Sequence, residues 1–146
     1  MKLLKLLYFA HGWHLAILGR PLLDERVEAW KFGPVVPSIY HEFKDFGLNA
    51  ISRLARKLSL EKGELVFTTP EICPSGVAES VLKDLVWGIY GKLSASSLSN
   101  LTHQSNSPWY EVWFNRGGMH IKGTDIPDEL IRDYFKRKMS DATIPG

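Results

Sequence analysis

The chain has 146 residues, 45% of them hydrophobic and 23% charged, with 18 basic against 16 acidic side chains and a net charge of +2. That length suits one domain with one core, the composition excludes disorder as the dominant state, and the balanced charge falls short of the clustered cations that a phosphate footprint needs. A single cysteine, Cys73, excludes an intramolecular disulfide, and its neighbours Ile72 and Pro74 predict a buried, inert thiol.

Residues 2–18 read as a helix. Leu3, Leu6, Leu7, Ala10, Trp13 and Ile17 recur at helical spacing. Leu4, Tyr8, Leu15 and Leu18 cover much of the remaining circumference, so this helix is expected at the centre of the fold. Gly19 is its expected stop. Lys5, His11 and His14 interrupt what could pass for a leader, and the apolar runs are too short to span a bilayer, so a soluble cytoplasmic protein is expected. No capping residue precedes the helix, which suggests that it belongs to a longer helical hairpin.

Val27 to Lys31 alternates as a short strand, and Gly33-Pro34 is expected to break it. Pro37 fits the first position of a helix, with Ile39, Phe43 and Phe46 on one face and Gly47 at its end. Residues 50–58 carry a weaker helical pattern. Leu65 to Thr69 has strand composition and is expected to pair with 27–31. Val77, Val81, Leu85 and Ile89 predict a long core helix ending at Tyr90-Gly91. Ser94 caps a short helix carrying Leu98 and Leu101, and Ser107-Pro108 opens another bearing Trp109, Val112 and Trp113, stopped by Gly117-Gly118. The last helix is predicted from about Pro127 to Lys138, presenting Leu130, Ile131, Tyr134 and Phe135. The expectation is a mainly α, compact helical domain around a central apolar helix with a small antiparallel β pair. It forms one domain over 1–139, followed by a flexible tail over 140–146.

Chemistry finds little support. No glycine loop has the spacing of a phosphate cradle. His11 and His14 share a helix face, but no HExxH or cysteine pair supplies further zinc ligands, and a polar stripe explains them. Asp24, Glu25 and Glu28 beside Arg20 and Arg26 read as surface ion pairs. Thr102-His103-Gln104 reads as a helix terminus whose side chains satisfy backbone ends. No catalytic residue, metal or cofactor is expected.

The segment Glu28-Ala29-Trp30-Lys31-Phe32-Gly33-Pro34-Val35-Val36-Pro37, with Tyr40 beyond it, is a rigid aromatic turn bounded by proline. Together with Lys5-Leu6-Leu7-Tyr8-Phe9-Ala10-His11-Gly12-Trp13-His14-Leu15, Leu101-Thr102-His103-Gln104, Ser107-Pro108-Trp109 and the closing Ile131 to Phe135, it resembles the Panacea domain family of SocA-like antitoxins and phage-associated GepA-like proteins. The resemblance runs from about residue 3 to residue 136. It implies a non-enzymatic, mainly helical protein that binds and neutralises a protein toxin encoded by a neighbouring gene. In SocA-like members it also implies an adaptor delivering that toxin to a Clp-type protease. The alternative is a phage or mobile-element accessory protein with another protein partner; a third class is an enzyme or metal protein centred on His11, His14 and His103. Family members usually carry a further helix before the Lys-Leu-Leu-Tyr motif. Partner contact is expected from Lys31, Phe32, Pro34, Tyr40 and Trp109, and a structural role from Trp13, Trp30, Gly33, Val35, Pro37, His103 and Pro108.

Overall fold

The structure, a computed structural model, describes residues 1–71 and 76–143. The first helix, α1 (Lys2–Leu18), is buried from Tyr8 to Ala16. It ends as its sequence requires: Gly19 turns left-handed at φ 69°, and its N–H returns to the Leu15 carbonyl at 3.0 Å. Four other elements cover α1. They are the last helix, α6 (Asp128–Thr143), the helix α3 over residues 77–90, the helix α4 (Ala95–Thr102), and the short strand β2 (Gly33–Val35).

The α1–α6 contact is aromatic and close. Phe135 meets Tyr8, Phe9 and Trp13 edge-on, at 5.8, 6.0 and 5.2 Å between ring centroids. Gly12 lies directly under this ring, where a Cβ would overlap the Phe135 side chain. The Trp13 indole N–H reaches the Tyr90 hydroxyl at 3.1 Å, tying α3 to the same seam.

A three-stranded antiparallel sheet packs beside α1, with β1 (Val27–Trp30) between β2 and β5 (Thr124–Ile126). Gly33-Pro34 therefore does not end the β structure. The chain reverses at Lys31-Phe32, and Gly33, Pro34 and Val35 return opposite Trp30, Ala29 and Glu28. Pro34 is tolerated because β2 is an edge strand and needs no outward N–H there. Pro37 then opens α2 (Pro37–Phe43), after the extended Val36 that a residue before proline favours.

Three further expectations are corrected. Residues 50–58 form no helix; Leu58 and Leu60 alternate at period two in β3 (Lys57–Glu61). The strand β4 (Glu64–Thr68) pairs with β3 rather than with the 27–31 strand, because the short Lys62-Gly63 turn brings its neighbour back first. And α6 continues to Thr143, through Met139, Ser140, Asp141 and Ala142, which include neither glycine nor proline. The remaining tail, 144–146, lies outside the described residues, as does Cys73.

Two helices open out from α-type bonding. In α3, Val77–Ser80 is α-helical and Val81–Tyr90 is of the wider π type, ending with the Gly91 N–H on the Val86 carbonyl at 3.2 Å. In α5, residues 108–115, Pro108–Tyr110 is α-helical and Glu111–Asn115 is again π type. The burial pattern departs from a 3.6 period. Val81 and Val86 are buried, whereas Val77 and Ile89, placed on the core face by a 3.6 period, are exposed.

Candidate functional site

The aromatic turn is held from behind by residues far away in the chain. At its first corner, the Trp109 indole N–H donates to the Trp30 carbonyl at 2.8 Å. At its second, the Lys5 ammonium donates to the Pro34 carbonyl at 3.2 Å. At the tip, the Ser99 hydroxyl approaches the Phe32 carbonyl at 3.5 Å. One side chain each from α1, α4 and α5 thus fixes the backbone that carries Lys31 and Phe32.

These supports are themselves set by local sequence. Ser107 caps α5, its hydroxyl accepting the Tyr110 N–H at 3.1 Å and donating to the Thr102 carbonyl at 2.7 Å. Pro108 occupies the first helical turn, where its missing N–H costs nothing. The geometry aims Trp109 inward, against the His103 ring at 4.0 Å and stacked on Trp113 at 5.6 Å. His103 is half-buried at the end of α4.

Gly33 is required twice over. Its φ of 108° is open to glycine alone without strain. A Cβ would also collide with the Lys5 ammonium and come within 2.9 Å of the Thr102 hydroxyl. Lys5 is 1% exposed and makes no ion pair among the described residues, and burial pushes its ammonium down to about 7.

Among the residues expected at a partner, Lys31 and Phe32 are exposed at the tip, with the Lys31 ammonium 5.4 Å from the Phe32 ring centre. Phe32 leaves 62% of its surface in water and Tyr40 37%. Tyr40 packs edge-on against Trp30 at 4.9 Å, and the Trp30 N–H is satisfied by Glu28 at 2.7 Å. Pro34 and Trp109 are buried behind the turn and belong with its supports. So do Val35 and Gly33, while Trp13 lies in the α1–α6 seam. Sequence reasoning missed Ser99 and gave Lys5 and Thr102 no role at the turn; each is polar on a helix of otherwise unrelated pattern, and only the fold brings them to one hairpin.

The other candidates separate. His11 bonds Asp128 at 2.9 Å and accepts the Leu23 N–H at 3.4 Å; His14 meets the Arg20 carbonyl at 2.8 Å. Among the described residues no three His, Cys, Asp or Glu side chains are placed to hold a metal ion. Arg26 pairs with Asp125 rather than with its acidic neighbours in sequence. Two clefts, of about 150 and 360 Å³, are lined by Ser107, Glu111 and Tyr134 and by Asp24, Arg26 and Asp125; neither includes the turn. Lys31 and Phe32 stand exposed on a turn whose backbone is fixed from behind, and Tyr40 is partly exposed against Trp30. No helix among the described residues is long and apolar enough to cross a membrane.

Comparison with known proteins gives the class of molecule. Residues 3–110 match the family described as Antitoxin SocA-like, Panacea domain. Antitoxin SocA of Caulobacter vibrioides (strain NA1000 / CB15N) is 37% identical over 148 aligned residues, which cover all of this chain and 77% of the relative. The chain belongs to the SocA-like Panacea family of antitoxins. No solved structure matches it.

Proposed function

We propose that this protein is a non-catalytic antitoxin that binds a protein toxin encoded beside it and neutralises it through the Lys31–Phe32–Tyr40 face. The observation that carries the reading, beyond family membership, is a large apolar side chain displayed on a fixed turn: Phe32 is 62% exposed, yet its hairpin is bonded to α1, α4 and α5. An exposed aromatic on rigid backbone loses little entropy on binding, which is how interface anchors work. Lys31 adds a cation beside the ring, and Tyr40 a partly exposed aromatic against Trp30.

As in the adaptor role that SocA-like members suggest, the captured toxin is then presented to a Clp-type protease. Co-expression with the neighbouring gene tests the first step. Rescue of growth and co-purification of the two proteins are expected; a toxic neighbour that is neither bound nor neutralised would remove the reading. A stable complex with a non-toxic neighbour would favour an accessory protein of a mobile element instead. The second step is read from toxin half-life in cells with and without the protease, which is expected to lengthen when the protease is absent.

A further inference from the structure

The β3–β4 hairpin makes a two-stranded sheet of its own. Its turn, Lys62-Gly63, has both φ angles positive, at 49° and 83°, the twist-matched form of a two-residue hairpin. The register sets Leu58 opposite Phe67 and Leu60 opposite Leu65. Opposed residues share a face. These four side chains are therefore one apolar surface, and they are 51, 62, 70 and 70% exposed for Leu58, Phe67, Leu60 and Leu65. A two-stranded hairpin alone in water is marginally stable.

The hydrogen-bonding parity identifies the free edge. Residues flanking a two-residue turn exchange both backbone bonds, so Glu61 with Glu64, Ser59 with Val66 and Lys57 with Thr68 bond within the hairpin. The N–H and C=O groups of Leu58 and Leu60 then point away from β4, and neither residue has a backbone partner elsewhere among the described residues. Such an edge is a template for another strand unless proline, a bulge or like charge blunts it. Lys57-Leu58-Ser59-Leu60-Glu61 contains no proline, and its two charges are opposite in sign and stand at its ends.

That strand is complementary to itself. In an antiparallel alignment centred on Ser59, Lys57 of one copy faces Glu61 of the other, and Leu58 faces Leu60. Leu58 and Leu60 are the residues with outward backbone groups, so they meet as hydrogen-bonding pairs on either side of the two-fold axis. The alignment also relieves a local conflict. Glu61 lies opposite Glu64 within its own hairpin, and like charges so placed are destabilising; the second copy supplies Lys57 on the other side. The edge of β4 offers less, because the equivalent alignment about Val66 sets Glu64 against Thr68.

We propose that the chain forms a two-fold dimer by antiparallel β3–β3 pairing, giving one sheet in the order β4-β3-β3-β4. Its closed, isologous symmetry satisfies both free edges at once. It also joins the two apolar faces into a single larger one. This interface is separate from the Lys31–Phe32 turn and does not depend on the antitoxin reading.

Sedimentation equilibrium of the full chain provides the test. The wild type is expected to dimerise, and Lys57→Glu and Glu61→Lys are each expected to weaken the dimer by about tenfold or more, since both cross-strand pairs become repulsive. Mixing the two variants is expected to restore association, because each reversed charge meets its complement. Leu60→Pro removes an outward N–H while leaving the bonds inside the hairpin, and is expected to give monomer. Thermal melts of each variant separate a lost interface from a lost fold. A wild-type monomer, a dimer indifferent to both charge reversals, or a mixture that fails to re-associate would overturn the proposal.

Discussion

Lys5 places a cation in the core to hold one carbonyl of the aromatic turn. Its ammonium is pushed from 10.5 down to about 7 by burial, so between those values the unfolded chain holds a proton that the folded chain has released. Stability from this group therefore rises with pH from about 7 to 10.5, and below 7 the folded protein carries the full penalty of a buried charge. Lys5→Met removes the penalty. Its stability relative to wild type is expected to be most favourable near about pH 6 and to fall by a few kcal/mol, on the order of the cited shift, towards about pH 10. Urea midpoints of both proteins at the two pH values check this; a difference that stays constant would contradict it. Gly33→Ala, which strains a φ of 108° and collides with Lys5, is expected to destabilise by about 2 kcal/mol or more, read from the same denaturation curves. The need for glycine at this corner was legible in the sequence as a Gly-Pro break. The partner of that corner was not, because Lys5 sits 29 residues from Pro34 in a helix whose apolar pattern says nothing of where the hairpin docks.

Elements with a clean period were legible, and those that pair at a distance or depart from the usual period were not. The central helix and its Gly19 stop follow from spacing alone. Its tightest contact also has a sequence mark, Gly12, which leaves room for the Phe135 ring. Gly12→Ala is expected to overpack that seam at a cost of about 1–3 kcal/mol, and a thermal melt with Phe135→Leu in the same chain should recover part of the loss. Strand composition identified β4 but not its mate, since the nearest strand across a tight turn pairs before a distant one. The π-type stretch of α3 escaped because apolar residues at Val81, Leu85 and Ile89 satisfy a 3.6 period that the backbone does not follow. Trp109 shows the same limit in one residue: an aromatic rich in surface area looked fit for a partner, whereas its N–H finds the Trp30 carbonyl inside the fold.

The molecule as a whole is a helical core that presents a short hairpin. Its three supports come from segments separated by most of the chain: Lys5, Ser99 and Trp109. Four of the stretches that carry the family resemblance lie in or beside this arrangement, from α1, the hairpin, the end of α4 and the start of α5. Much of the signature is therefore scaffold, and the contact surface proposed above is narrower, centred on Phe32 with Lys31 beside it and Tyr40 against Trp30. The charge-reversal pairing at β3 concerns a different face, so dimer and partner binding are expected to vary independently in the two sets of variants. The most direct measurement is the affinity of the purified toxin for wild-type protein and for Phe32→Ala. Phe32→Ala is expected to raise Kd by about tenfold or more with the melting temperature unchanged, because the removed ring is 62% exposed. Undiminished affinity in a fully folded Phe32→Ala protein would contradict the account.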